Sequence, residues 1–269
     1  ITVAANLSQI TGILTLTAGG VLPTSGNMPT EFTTNNSLSS TAANISGKTI
    51  TAGTNNINVT NAIINTTDLS NITTSGTITL EKGGSANSAA NLTQTFAVTT
   101  NNTLIVTEED VVAGKEIIGN VTITAAITVN ANLSKITGIL TLTDGGVLPS
   151  NGNMPTTFTT NGSISSVAAN ISDKTITAGT NDVTVTNAIT NTIDLSNITT
   201  SGTITLEKGG SANSSTQLTQ TFTVTTNNAL TVTEENVVAG KVISGDVIIT
   251  AAITVAANLF QITGILTLT

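Results

Sequence analysis

Short runs in which β-branched residues alternate with polar residues recur along the whole chain, for example at 13–17, 48–52, 77–80 and 121–124. A period of two places alternate side chains on opposite faces of a β-strand. Clusters of Gly and Asn lie between these runs and supply the conformations that turns require. Since no segment sustains a helical period, the pattern predicts an all-β protein.

The chain repeats itself with a period of 126 residues. The phrase ITVAANLSQITGILTLT at Ile1 returns with small changes at Ile127 and Ile253, and 1–126 and 127–252 differ at 26 positions without gaps. This self-similarity predicts tandem structural repeats. The predicted domains are a first repeat, 1–126, a second, 127–252, and the start of a third, 253–269.

A second, more eroded period divides each repeat into two half-repeats: 1–63, 64–126, 127–189 and 190–252. The motif LS-x-IT occurs once in each half-repeat, beginning at Leu7, Leu69, Leu133 and Leu195. Each long repeat is therefore expected to contain two structurally similar parts.

Two other residue types follow the same half-repeats. Glycine pairs are expected at turns with positive φ. These pairs are Gly19–Gly20, Gly83–Gly84, Gly145–Gly146 and Gly209–Gly210. Four phenylalanines are expected to stack in the core at equivalent corners: Phe32, Phe96, Phe158 and Phe222.

Strand starts about 20 residues apart, as at Ser37, Ile57 and Thr77, indicate three coils of about 21 residues in each half-repeat. Coils of this length favour a parallel β-helix or solenoid. Immunoglobulin-like sandwiches are the alternative, but about 63 residues are few for seven strands. Thirteen coils would make a rod on the order of 60 Å long. The sequence begins and ends within the same phrase, so we expect a window from a longer array.

Composition narrows the possible chemistry. The chain has no Cys, His, Trp, Tyr or Arg, and seven Lys against fifteen Asp and Glu give a net charge of -8. Without a basic surface, nucleic acid is not an expected partner. Without Cys or His, zinc and redox sites are excluded, and no cofactor is predicted. The apolar runs are too short to span a bilayer.

The densest charge is Glu108–Glu109–Asp110, which returns as Glu234–Glu235 followed by Asn236. Carboxylates suit Ca²⁺, so these residues are weak candidates for a calcium site. A solvated acidic turn is the simpler interpretation, because no calcium-binding loop motif is present and the second copy loses one carboxylate. No metal site is therefore predicted.

Two pairs of carboxylates, Asp68 with Glu81 and Asp194 with Glu207, could in principle serve a glycosidase, which needs two converging acids. An active site is normally a single irregular place, whereas these residues are copied with the repeat. The sequence therefore predicts a protein that is not an enzyme.

Threonine pairs of the form Thr-x-Thr suggest a second interpretation, a solenoid that binds ice or glycan through a Thr-rich outer face. Such a surface needs a pair on every coil, but these pairs recur only once in each half-repeat, so ordinary strand propensity is the simpler account. The pairs are Thr15/Thr17, Thr77/Thr79, Thr141/Thr143, Thr203/Thr205 and Thr267/Thr269.

Phe260 replaces Ser8 and Ser134 of the earlier copies, next to an inward Leu. It is expected to point outward, where it could anchor a lateral contact between chains. A tolerated surface residue is the simpler interpretation.

Composition, coil length and tandem units such as GKTITAGTNN and SGTITLEKGG resemble the shafts of bacterial surface adhesins, namely autotransporter passengers and filamentous-haemagglutinin-like proteins. The resemblance implies a right-handed β-helix, and a secreted, extracellular stalk or fibre displayed on the bacterial cell surface. It carries over no functional residue. Further copies of the repeat are the expected neighbours along the chain, with polymerisation or lateral bundling left open.

Overall fold

The computed structural model describes residues 6–23, 27–93, 95–149, 152–254 and 256–269. The first five residues of the repeated phrase therefore lie outside the described ranges. The chain forms two compact units, which divide near the junction of the two long repeats. The first unit extends to Thr124 and includes Lys135–Leu140, and the second contains Ala125–Ser134 and Thr141–Thr269.

The first unit is built from short strands that pair in parallel. Leu14–Leu16 pairs with Glu31–Thr34, for instance, through Leu14 opposite Phe32 and Thr15 opposite Thr33. The strands are β1 Leu14–Leu16, β2 Gly20–Val21, β3 Glu31–Thr34, β4 Leu38–Ser40, β5 Thr49–Gly53, β6 Ile57–Val59, β7 Ile72–Thr74, β8 Ile78–Leu80, β9 Gly84–Ala86, β10 Thr95–Val98, β11 Thr103–Val106, β12 Glu116–Ile118 and β13 Asn120–Ile123.

Strands one or two elements apart in sequence lie side by side, as expected when each turn of the chain stacks on the previous one. The first unit contains a four-stranded sheet β1-β3-β5-β7, a six-stranded sheet β2-β4-β6-β8-β10-β12, and the neighbouring strands β9, β11 and β13. Each turn inside the stack thus hydrogen-bonds through its backbone to the turn before and the turn after.

The second unit repeats this arrangement. Its strands are β14 Leu140–Leu142, β15 Gly146–Val147, β16 Thr157–Thr160, β17 Ile164–Ser166, β18 Thr175–Gly179, β19 Val183–Val185, β20 Ile198–Thr200, β21 Ile204–Leu206, β22 Gly210–Ala212, β23 Thr221–Val224, β24 Ala229–Val232, β25 Val242–Ser244, β26 Asp246–Ile249 and β27 Leu266–Leu268. They form the sets β14-β16-β18-β20, β15-β17-β19-β21-β23-β25 and β22-β24-β26-β27.

Within the described residues, helical structure is confined to single turns. These are the α-helices α1 Ala42–Ile45 and α2 Ala168–Ile171 and the 3₁₀ turns Ala89–Asn91, Glu109–Val111, Ser215–Gln217 and Glu235–Val237. The prediction of an all-β parallel solenoid is confirmed, and the two units together hold about 13 turns.

A turn has about 19 residues, slightly fewer than 21. The paired positions show the spread: Leu104 pairs with Val121, 17 positions on, and Ile50 pairs with Ile72, 22 positions on. A half-repeat such as 1–63 therefore covers a little more than three turns instead of a whole number. Equivalent strands of successive half-repeats consequently fall in neighbouring sheets.

The four phenylalanines show this shift. All are buried, but Phe32 lies in the four-stranded sheet of the first unit and Phe96 in its six-stranded sheet. Phe158 and Phe222 are separated in the same way within the second unit. The expected stacking at equivalent corners is therefore not found in either unit, because a half-repeat is not a whole number of turns.

The inward residues of the strands fill the interior with Ile, Val, Leu and Ala, and strand β5 shows the alternation clearly. Ile50 and Ala52 are buried, whereas Thr49, Thr51 and Gly53 are exposed. Burial of such side chains stabilises the fold by about 1.5–3 kcal/mol each for the larger ones. The core is narrow, so each turn relies on its two neighbours.

The glycine pairs lie where turns approach each other closely. Gly83 and Gly84 both have positive φ, 59° and 123°. A Cβ atom at Gly84 would lie 2.2 Å from the carbonyl oxygen of Ile63, on the preceding turn. Glycine is required here both by the left-handed backbone and by the space.

Candidate functional site

The outer surface of the four-stranded set β14-β16-β18-β20 in the second unit carries an array of threonines. Thr157 pairs with Thr175, and Thr159 pairs with Thr177, so two Thr-x-Thr pairs lie on adjacent strands. Thr177 in turn pairs with Thr199. We call this surface the threonine face and define it as Thr157, Thr159, Thr175, Thr177 and Thr199.

The threonine face is exposed or half-buried, and its hydroxyls point away from the core. Within the described part of the chain, none of the five hydroxyls has a hydrogen-bond partner. Thr160, by contrast, faces inward, is 1 % exposed, and donates its hydroxyl to the carbonyl oxygen of Gly162. The outward hydroxyls are therefore available to solvent or a ligand.

The equivalent surface of the first unit differs at one position. There Glu31 pairs with Thr49, and Thr33 pairs with Thr51. Glu31 therefore occupies the place of Thr157, and a carboxylate interrupts the neutral array. We call this surface the glutamate face and define it as Glu31, Thr33, Thr49, Thr51 and Thr73.

The expectation that paired threonines recur only once in each half-repeat misses the threonines on the turns between. It followed a single phrase from one half-repeat to the next, and so skipped the turns between. In the structure, the threonines of adjacent turns come from different phrases, as Thr15, Thr33, Thr51 and Thr73 show in the first unit. The sequence does contain the pattern, because an outward Thr recurs once in each turn. The pattern can be recognised only when the length of a turn is known.

A second column of small hydroxyls follows the six-stranded sheet of the second unit. Ser165, Thr184, Thr205, Thr223 and Ser244 lie on five consecutive strands. In the first unit the corresponding column contains Asn58, Ala97 and Ile118. Charged side chains border the second-unit column, since Asp182 and Glu207 flank its strands.

The carboxylates within each acidic turn differ in their exposure. Glu109 and Glu235 are each 2 % exposed, whereas Glu108, Asp110 and Glu234 are exposed. Neighbouring carboxylates thus point in different directions, and no group of three or more acidic residues in the described ranges could hold a metal ion.

The buried glutamates have a structural setting instead. Glu235 Oε1 accepts a hydrogen bond of 2.9 Å from the backbone N–H of Thr254, on the next turn. The interpretation as a solvated turn is therefore wrong for Glu109 and Glu235, because these side chains are buried against the interior. Sequence reasoning missed the burial of these glutamates. The one available sign was that both copies keep the Glu-Glu pair.

Three of the four carboxylates considered for catalysis accept a hydrogen bond from another residue. Asp68 Oδ1 accepts hydrogen bonds from the backbone N–H and hydroxyl of Ser70, and Glu81 Oε1 accepts one from Asn58. In the second unit, Asp194 accepts a bond of 2.8 Å from the N–H of Ser196. These hydrogen bonds give the carboxylates of Asp68 and Asp194 a role in turns, and that of Glu81 a role at the end of a strand.

Four lysines connect successive turns, a role that sequence reasoning missed. Each precedes a buried isoleucine by two positions and donates from Nζ to a carbonyl oxygen of the preceding turn. The bonds are Lys48 to Met28, 3.0 Å, Lys115 to Leu92, 3.2 Å, Lys174 to Met154, 3.1 Å, and Lys241 to Leu218, 3.0 Å. Burial lowers the pKa of Lys115 and of Lys241 below the usual 10.5, since desolvation disfavours the ammonium form.

Phe260 is 79 % exposed, as expected for an outward position. Its role in a lateral contact between chains stays a prediction. No helix in the described ranges is long and apolar enough to cross a membrane.

The fold and these surfaces define a repetitive parallel β-solenoid protein. Comparisons of the chain with protein-family models, with curated proteins and with solved structures found no match.

Proposed function

We propose that the chain is a non-catalytic structural segment of a long extracellular fibre or adhesin stalk on a bacterial cell surface. The observation that carries the proposal is the uniform stacking of turns, each bonded to its neighbours through parallel strands. Such a segment gains length simply by adding repeats, because stability depends on contacts between adjacent turns.

The polar interior groups support a structural role. Lys48 and Lys241 donate to carbonyl groups of other turns, and Glu235 accepts from the next turn. Several charged groups of this sparsely charged chain thus connect neighbouring turns. Such contacts between turns are what a stalk requires, and a stalk does not require an active site.

The test extends the chain by one additional 126-residue repeat and compares particle length by electron microscopy. A fibre segment should lengthen by about 32 Å, since 126 residues make about 6.6 turns at about 4.8 Å each. A particle that does not lengthen, or that widens instead, would contradict the proposal. Antibody labelling of intact cells of the source organism tests surface display, and labelling only after lysis would exclude it.

A further inference from the structure

We propose that the threonine face of the second unit binds the surface of ice. This function goes beyond the structural role and does not depend on it. A short rod that is not part of any fibre could carry the same surface.

The hydroxyls of the threonine face repeat at regular distances in two directions. Neighbouring parallel strands lie about 4.8 Å apart, and outward residues of one strand repeat about every 6.6 Å. Thr157 and Thr159 on one strand and Thr175 and Thr177 on the next therefore form a two-dimensional lattice of hydroxyls. Thr199 continues one of its columns on the third strand. Ice presents oxygen atoms that repeat in two dimensions on the same scale, whereas a soluble ligand makes no use of such a lattice.

The threonine face lies on a rigid part of the fold. Strand β18 is held between β16 and β20, and behind it Phe158 and Ile176 are 0 % exposed. Threonine is restricted at χ1 by its branched Cβ. The hydroxyl positions are thus fixed by the fold, so little side-chain entropy is lost when they bind a solid lattice.

The side-chain groups of the threonine face also suit an ice surface. The threonine face contains methyl and hydroxyl groups and no charge, and its hydroxyls have no partner within the described ranges. A carboxylate would hold its own hydration shell and disturb an ordered water layer. Sugar surfaces are a poorer match, because the chain has no Trp or Tyr to stack on sugar rings.

The chain supplies a matched pair of substitutions. Thr177→Glu places a charge in the middle of the threonine face, and Thr184→Glu places one on an outward threonine of the six-stranded sheet in the same unit. The full chain is mixed with slowly growing ice, and the protein fraction incorporated into the ice is measured. Circular dichroism and the unfolding midpoint of each variant establish that both remain folded.

We expect the unmodified chain to enter the ice, Thr177→Glu to lower the incorporated fraction about tenfold, and Thr184→Glu to change it less than about twofold. Exclusion of the unmodified chain from ice, or an equal loss for both variants, would overturn the proposal. Binding of the chain to insoluble polysaccharide instead of ice would also overturn it.

The natural difference between the two units gives a second test. Thr157→Glu copies the glutamate face into the second unit and should lower incorporation into ice. Glu31→Thr completes a second array in the first unit and should raise incorporation, by up to about twofold, since the number of neutral arrays doubles. If Glu31→Thr has no effect while Thr157→Glu abolishes incorporation, charge alone does not distinguish the faces and the argument from chemistry fails.

Discussion

The glutamate face and the threonine face occupy equivalent sheets of the two units, with the same strands and the same register. Thr33, Thr49, Thr51 and Thr73 of the first have identical counterparts in the second, and only Glu31 differs, where the second unit has Thr157. One backbone thus supports either a charged or a neutral surface. The fold constrains what these strands bury and leaves the chemistry of their outward positions free.

The interior of the two copies is much more alike. Among the described positions at which the repeats differ, only Leu38, Ile57 and Thr67 are buried in the first unit. Leu38 and Ile57 become Ile164 and Val183, which are similar in volume, and such exchanges usually cost less than about 1.5 kcal/mol. Substitutions have therefore accumulated mainly outside the interior.

The largest expected effect concerns a position that both copies must keep. Gly84→Ala would place a Cβ atom 2.2 Å from the carbonyl oxygen of Ile63 at a φ of 123°. We expect a loss of about 3 kcal/mol in the free energy of unfolding. Gly210→Ala should behave alike in the second unit, where Ile189 is the neighbour at the same distance. Urea unfolding followed by circular dichroism measures both.

Gly47→Asp is the matched control for these glycine variants. A Cβ atom at Gly47 would have nothing within 4 Å, and Asp173 occupies the equivalent position at a φ of 58°. Its cost should stay within about 1 kcal/mol. If Gly47→Asp lowers the free energy of unfolding as much as Gly84→Ala does, the residues of the two long repeats are not interchangeable at this turn.

The buried acidic residues should matter where the exposed ones do not. Glu235→Ala removes the acceptor of the Thr254 N–H and should cost about 1–3 kcal/mol. Glu234→Ala, next to it but exposed, should stay within about 0.5 kcal/mol. Addition of Ca²⁺ or of a chelator should leave the unfolding midpoint unchanged. A rise of the midpoint with Ca²⁺ would restore the calcium interpretation.

The buried lysines should make stability depend on alkaline pH. Because the folded pKa of Lys115 and of Lys241 lies below the unfolded 10.5, the unfolded chain binds more protons between those values. Stability should therefore rise with pH in that window, with a slope of at most about 1.4 kcal/mol per pH unit for each lysine. Without His, Cys or Tyr, no other type of side chain titrates there.

Lys115→Met and Lys241→Met test this pH dependence separately in the two units. Each should flatten the rise measured by urea unfolding between neutral pH and pH about 10.5. Lys82→Met, at an exposed position, is the control and should leave the rise intact. A rise that persists in the double variant would assign it to other groups.

The smallest effect is expected from exchange of outward residues between the six-stranded sheets. Ala97→Thr with Ile118→Ser gives the first unit the side chains of Thr223 and Ser244. The free energy of unfolding, measured by thermal unfolding, should change by no more than about 0.5 kcal/mol for each substitution, since both positions face outward. A larger loss would mean that these surfaces also contribute to the stability of their unit.

Much of this architecture could be predicted from the sequence. Alternation at segments such as 48–52 identifies strands, and the glycine pairs identify turns, because both depend on residues close in sequence. The buried Glu235 and the lysine bonds could not be predicted this way. Their partners lie a whole turn away along the chain, and only the stacking of turns brings them together.

By itself, the amino-acid sequence determined the two nested repeats, the β-strands and the inward or outward direction of their residues. It did not determine which outward residues become neighbours. That depends on the length of a turn, about 19 residues, which corners and loops set together and which does not divide a half-repeat evenly. For this reason Thr159 lies beside Thr177, from a different phrase, and the threonine face exists only in the folded chain.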